Sequence, residues 1–309
     1  MRAYTLFDAC VQAGVKYLDI PPDGCFHRSD ILNDPHGKGD AALLLRADGS
    51  GIVWNWKNQE RCIYFDPQGH QKGLALRTKQ MSAMLALEEK HRKARYLSKE
   101  VWEKAEDVRN NHPYLLKKHI QAEGLIKELP SRKLRRLLGY TPSSSKGHLS
   151  GRILICLCHD LDLIRSLAFI DESGNKSCLA GGEMKGAFWS TQALPKNRFE
   201  KFKIGIAEGV ATALSAKKLF DFEVLAAIGS ANLVNVAESV SKHYPNAQIT
   251  ILSDVGNGME YALKAAQRVR AKCEMPKFTP SMNDEFFKRF NKKPTDFNDF
   301  WILNGAHHE

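Results

Sequence analysis

KIGIAEGVATALSA, residues 203–216, is an apolar run that ends on an acid, turns through a glycine and continues as a string of helix formers. It reads as a strand followed by a helix. The same alternation recurs downstream. EVLAAIGS (223–230) is strand-like and ANLVNVAESVSKHYP (231–245) helical; QITILSD (248–254) is a second strand ending in an acid, and GMEYALKAAQRVRAK (258–272) is helical again. Strands that alternate with helices in this way predict a parallel, doubly wound sheet.

In open α/β sheets ligands bind beyond the carboxyl ends of the strands, and Glu208 and Asp254 occupy that position in two different strands. Each has glycine within two residues, Gly209 and Gly256, so the backbone can turn and leave the carboxylate at the sheet edge. Mg²⁺ takes oxygen ligands and manages with one or two carboxylates, the rest coming from water and phosphates. The other reading is that the acids cap helices or turns. Near the C-terminus PTDFNDF (294–300) adds Asp296 and Asp299. Either these join the site, or Asp296 caps the last helix with Asp299 in its first turn.

Upstream the chain is organised differently. Residues 1–77 open with a short helix and continue as β-rich runs punctuated by Asp-Gly, Gly-Ser-Gly and Pro-Gln-Gly, giving a small antiparallel sheet on which Trp54 and Trp56 share a face. Residues 78–147 read as a helical connector with Met81, Met84, Leu85 and Leu87 as a buried stripe. His112-Pro113 is expected to stop a helix, LLKKHIQAEGLIKEL to form another, and TPSSSKGHLSG (141–151) to be a linker. A β-rich block, 148–200, precedes the α/β region, 201–309.

The 309 residues carry 45 Lys and Arg against 35 Asp and Glu, a net charge of +10, which favours polyanionic partners or serves only as a solvated basic surface. Seven scattered cysteines suit a reducing compartment. Cys156 and Cys158, in ILICLCHD, share one face of a strand and read as core residues rather than zinc ligands. No apolar run is long enough for a membrane span, and the first residues do not form a secretory signal, so a cytoplasmic protein is expected. There is no P-loop.

KIGIAEGVATALSA, the 224–254 stretch and PTDFNDF, in this order, resemble the TOPRIM domain of DNA primases carried by plasmids, phages and integrative elements. Glu208-Gly209-Val210-Ala211-Thr212-Ala213 matches the family's catalytic Glu-Gly-x-x-Thr-Ala. Asp254 matches the first acid of its Asp-x-Asp motif, and Gly256 stands where the second is expected; Asp284, Glu285 or an acid of Asp296–Asp299 is a candidate substitute. Further upstream, Asp23-Gly24-Cys25-Phe26-His27-Arg28, IVWNWKNQ, His112-Pro113-Tyr114-Leu115-Leu116-Lys117-Lys118 and Gly181-Gly182-Glu183-Met184-Lys185-Gly186 resemble elements of the same primases.

The resemblance implies a parallel-sheet, Rossmann-like TOPRIM domain preceded by a mixed α+β primase-core-like region. It implies a nucleotidyltransferase that makes short primers on a single-stranded DNA template from nucleoside triphosphates, with Mg²⁺ or Mn²⁺ on Glu208, Asp254, Asp296 and Asp299. Arg165, Lys176, Lys185, His27 and Arg28 are then candidates for nucleotide or nucleic-acid contacts, and any helicase is a separate protein. A TOPRIM protein that binds single strands with weakened catalysis, and a TOPRIM nuclease, are the alternatives.

Overall fold

The computed structural model describes residues 3–34, 39–58, 62–67, 73–109, 111–161, 163–256 and 258–304, with side chains from 83 onward in the long helix that starts at 73. The Met81 side chain, Asn257 and the 59–61 part of the expected first sheet lie outside what is described. The chain divides into two compact units, Met1–Ala86 and Leu87–Glu309.

In the first unit, helix α1 (Leu6–Ala13) is opened by Thr5, whose hydroxyl accepts the Asp8 N–H, and closed by Gly14 in the left-handed region. It lays Ala9, Cys10 and Ala13 against Leu43, Val53 and Phe65. These belong to an antiparallel sheet of β1 (Phe26–Ser29), β2 (Ala41–Leu45), β3 (Gly51–Asn55) and β4 (Cys62–Phe65), in that spatial order. Trp54 and Trp56 do sit together, ring centroids 6.2 Å apart.

Helix α2 (Gly73–Lys104) begins in this unit and ends in the next. The expected buried stripe is not where the sequence put it: Met84, Leu85 and Leu87 are exposed, and among the helix's described side chains the buried ones are Ala94, Ser98 and Val101. The second half of the helix lies on a sheet.

That sheet is antiparallel, built from β5 (Ile126–Pro130), β8 (Arg152–His159), β9 (Ile164–Ile170) and β10 (Lys176–Cys178), ordered β10-β9-β8-β5. Ile153, Ile155 and Leu157 of β8 face a core shared with α2 and α4 (Ser131–Leu138); Leu154, Cys156 and Cys158 face a second core on the opposite side. The two cysteines are thus buried strand residues, as their alternation implied.

Three local expectations are corrected. His112 starts a helix instead of stopping one: its Nδ1 accepts the Tyr114 N–H, and Pro113 occupies the first position of α3 (Pro113–Lys118), where a missing N–H costs nothing. LIKEL is the strand β5, not helix, because the chain breaks at His119 and Gly124, both at positive φ. At Gly124 a Cβ would lie 2.4 Å from the Ser190 carbonyl, so the close approach requires glycine. TPSSSKGHLSG carries a small hairpin, β6 (Ser143–Ser144) with β7 (Gly147–His148), and buries Leu149.

The last sheet holds β11 (Trp189–Ser190), β12 (Lys203–Ala207), β13 (Glu223–Ala226), β14 (Gln248–Leu252) and β15 (Lys272–Glu274) in the order β11-β13-β12-β14-β15. All are parallel except β11. Helix α5 (Val210–Phe220) covers one face; α6 (Leu233–His243) and α7 (Met259–Val269) cover the other. This is the doubly wound α/β fold expected from the repeat. Helices α8 (Pro280–Phe290) and α9 (Phe297–Asn304) close the chain. Among the described residues no helix is long and apolar enough to cross a membrane.

Candidate active site

The winding of the last sheet decides where a ligand can enter. From β12 the chain passes through α5 to β13 on one side, then through α6 to β14 on the other side of β12. The connections therefore part at the β12–β14 boundary, and a crevice opens there at the strands' carboxyl ends. Ala207 is paired with Leu252 across this boundary. Glu208 is the next residue beyond β12 and Asp254 the second beyond β14, so the two acids leave neighbouring strands whose axes are ~4.8 Å apart.

Glu208 also lies against the start of α7. A Cβ on Gly258 would come 3.2 Å from Glu208 Oε2, and Gly258 itself has φ +92°, so only glycine lets that helix begin so close to the carboxylate. On the other side Glu208 lines a cavity of about 180 Å³ together with Lys176, Cys178, Gly209, Val210 and Gly229. Lys176 Nζ lies 3.5 Å from the position a Cβ on Gly209 would take, beside the first turn of α5.

The loop after β14 is tied to the Asp-Phe-Asn-Asp segment, the Val255 N–H donating to the Thr295 carbonyl at 2.7 Å. There both acids act in the helix start. Asp296 Oδ1 accepts the Asp299 N–H at 2.7 Å, and Asp299 Oδ2 accepts the Thr295 N–H at 3.0 Å, with Lys292 at 3.4 Å. Asp299 is 1% exposed and committed to these contacts. Asp296 caps α9 yet its charge still reaches the strand ends.

The electrostatics single out Asp254. Burial, then the charges of Asp296 and Glu208, push its pKa up to about 7 against the opposing pull of Lys176. Its Oδ1 is buried and has no hydrogen-bond partner. Glu208 is raised as well, by burial first and by Asp296, with Lys176 opposing. Asp299 moves the same way, again by burial and Asp296, while the Thr295 N–H, Lys292 and Lys118 hold it back.

Two neighbours went unremarked as site residues in the sequence. Lys118, at the end of α3, has its pKa lowered by burial while Asp296 and Asp299 pull it upward. The Tyr114 hydroxyl is buried without a partner, and its pKa is raised by burial, Cys156 and Asp296. Both belong to the His-Pro-Tyr-Leu motif, which was the available signal. Asn298 fixes their helix, its Nδ2 donating to the Lys118 carbonyl and to Ser215 Oγ of α5.

Of the other candidates, Lys176 is brought to the acids. Lys185 is exposed on a turn that Asn232 ties to the loop after β13, accepting the Gly186 N–H and donating to the Met184, Ala187 and Ala227 carbonyls. Arg165 is held by Asp160 and Glu183 at 2.6 and 2.7 Å. His27 and Arg28 lie in the first unit, where His27 pairs with Asp23 and Arg28 stacks 3.9 Å over Trp56.

Among the described residues no three Asp, Glu, His or Cys side chains form a ready metal cage. What converges is a pair of carboxylates with a third acid behind them. That set suits Mg²⁺ or Mn²⁺, which draw their remaining ligands from water and phosphate; the unpartnered Asp254 Oδ1 and the mutual repulsion of the acids are what a hard cation would relieve.

Residues 203–307 match the family described as the Toprim domain, so the C-terminal third of the chain is a Toprim domain. Solved structures similar to the chain include the primase fragment of the bacteriophage T7 primase-helicase protein, at 16% identity over 91% of this chain and 96% of that one, TM-score 0.39. The DnaG primase catalytic domain bound to ssDNA matches at 8% identity over 71% and 77%, TM-score 0.48. The Aquifex aeolicus primase, zinc binding and RNA polymerase domains, matches at 15% identity over 96% and 82%, TM-score 0.41.

Proposed function

We propose that the protein is a divalent-metal-dependent nucleotidyltransferase that makes short primers on single-stranded DNA, serving plasmid or mobile-element replication in the cytoplasm. The observation that carries this reading is Asp254: a buried carboxylate with an unmet oxygen, beside Glu208 at the switch point of a Toprim sheet. The order of primase-like motifs upstream supports the choice of reaction.

Glu208 and Asp254 would hold Mg²⁺ or Mn²⁺, which when bound supplies charge neutralisation for the triphosphate and favours ionisation of the attacking hydroxyl. Lys176, at the cavity beside Glu208, presents positive charge to the phosphates of an incoming nucleoside triphosphate. Lys118 offsets the charges of Asp296 and Asp299. Asp296, through its cap on α9 and the Val255–Thr295 bond, keeps the Asp254 loop in register with that helix.

One observation favours a second reading, a single-strand-binding protein with weakened catalysis. Gly256 has φ +95°, so an aspartate there would be strained, and this loop does not offer the second acid. Incubating a single-stranded template with labelled nucleotides and Mg²⁺ or Mn²⁺ separates the readings. Primers made by the wild type and lost in Glu208→Gln support synthesis. Template cleavage without primers points to a nuclease, and salt-sensitive binding with neither product to the second reading.

A further inference from the structure

Helix α4, SRKLRRLL, has no part in the acidic site. Leu134 is buried, with Leu137 and Leu138 packed beside it in the core shared with α2, while Arg132, Lys133, Arg135 and Arg136 are exposed on the outer face. Elsewhere in the second unit seven of nine arginines have acidic partners, Arg92 with Glu89, Arg95 with Glu88, Arg109 with Glu106, Arg152 with Glu172, Arg165 with Asp160, Arg268 with Glu238 and Arg289 with Glu285; Arg198 and Arg270 stand apart from one another in sequence, whereas the arginines of α4 are clustered. Among the described residues Arg132, Arg135 and Arg136 pair with none; on this helix only Lys133 does, with Glu106.

A cleft of about 300 Å³ lined by Lys104, Leu129, Lys133, Arg136 and Leu137 runs beside them. The helix dipole accounts for cations in the last turn, but Arg132 lies in the first turn, where a cation is disfavoured. The antiparallel sheet separates this patch from the acids: α4 packs on the face of Ile153, Ile155 and Leu157, whereas the cavity at Glu208 lies on the face of Ala168 and Ile170.

We infer that α4 and its cleft form a second polyanion site, binding the phosphate backbone of a nucleic-acid strand on the face of the sheet opposite the acidic crevice. Guanidinium forks match phosphate oxygens, and Arg132 to Arg136 spans ~6 Å of helix axis, a row of charges for a chain of phosphates. The site retains the strand; it does not touch the reacting groups.

The test is anisotropy of a fluorescent dT20 against NaCl concentration, for the wild type, Arg132→Gln/Arg135→Gln/Arg136→Gln, and the corresponding triple Lys variant. Three lost phosphate contacts reduce the slope of log K against log salt by about 2, and the Lys variant keeps it. Primer synthesis at saturating template keeps its rate while the template KM rises. An unchanged slope in a Gln variant of wild-type melting temperature overturns the inference, as does loss of polyglutamate binding without loss of dT20 binding, which would make the partner an acidic protein segment. If the triple Gln variant does not fold, Arg135→Gln/Arg136→Gln carries the test, with an expected slope change of about 1.4. A patch-dependent slope in a protein that makes no primers leaves this site standing and removes the proposed activity.

Discussion

On the antiparallel sheet of the second unit Asp171 is 1% exposed, and its carboxylate accepts the Ser173 N–H, the Asn175 N–H and Asn175 Nδ2 at 3.0, 2.8 and 2.9 Å. Nearby Glu128, 4% exposed, is flanked by Arg109 and Arg152. At the end of the parallel sheet Asp254 has a buried oxygen with no partner, and its nearest ionic neighbours include other acids. Both regions bury carboxylates, but one completes their bonding and the other leaves it open. Completed bonding fixes a turn; open bonding is tolerable only where something else supplies the missing charge.

The largest expected effect is catalytic. Glu208→Gln or Asp254→Asn should lower primer synthesis by roughly 100-fold or more, since even groups behind a metal's ligands matter ~10–100-fold; equal rates in variant and wild type would place the chemistry elsewhere. Asp171→Ala should leave activity per folded molecule intact and cost about 2–3 kcal/mol in urea unfolding, because two backbone N–H groups of the turn lose their acceptor.

The comparison sharpens with pH. Asp254 is raised to about 7 in the fold, from an ordinary value of 3.8. The protonated form is therefore favoured by folding, a contribution present below about pH 4 and lost as the pH rises to 7. In EDTA, Asp254→Asn should stabilise the protein by roughly 1–2 kcal/mol at pH 8, after allowance for solvent screening, and by almost nothing at pH 4. Thermal melts at the two pH values check it, and a destabilised variant at pH 8 would make Asp254 a structural acid like Asp171. The smallest effect is expected at Gly258→Ala, about 1–2 kcal/mol of strain from φ +92°, with a loss of activity from crowding Glu208.

The central parallel strands β12, β13 and β14 were legible because each is a short apolar run closed by an acid or glycine and followed by a helix, a local pattern; β15, Lys-Cys-Glu, lacks that pattern and starts in the stretch read as helix. The helix start at His112 was not, since His-Pro is equally compatible with a stop; what decides is that Nδ1 accepts the Tyr114 N–H while Nε2 donates to the Arg152 carbonyl, 40 residues away. LIKEL likewise has helix formers, and becomes β5 because β8 offers it a ladder from Ile126–Cys156 to Pro130–Arg152. Met84, Leu85 and Leu87 have the right spacing for a buried stripe, but no sheet covers them.

Sequence alone determined the alternation of strand and helix, the placement of Glu208 and Asp254 at strand ends, and the glycines that turn the chain beside them, because these follow from periodicity and backbone freedom within a few residues. Tertiary structure decided which strands became neighbours, that Asp296 lends its charge to the acids while Asp299 is spent on Thr295 and Lys292, and that Lys176 comes within charge range of Glu208 and Asp254 and Lys118 of Asp296 and Asp299. Those are consequences of burial and of charges brought together across the chain, and a carboxylate's bonding is complete or open only in the presence of the groups that the fold places around it.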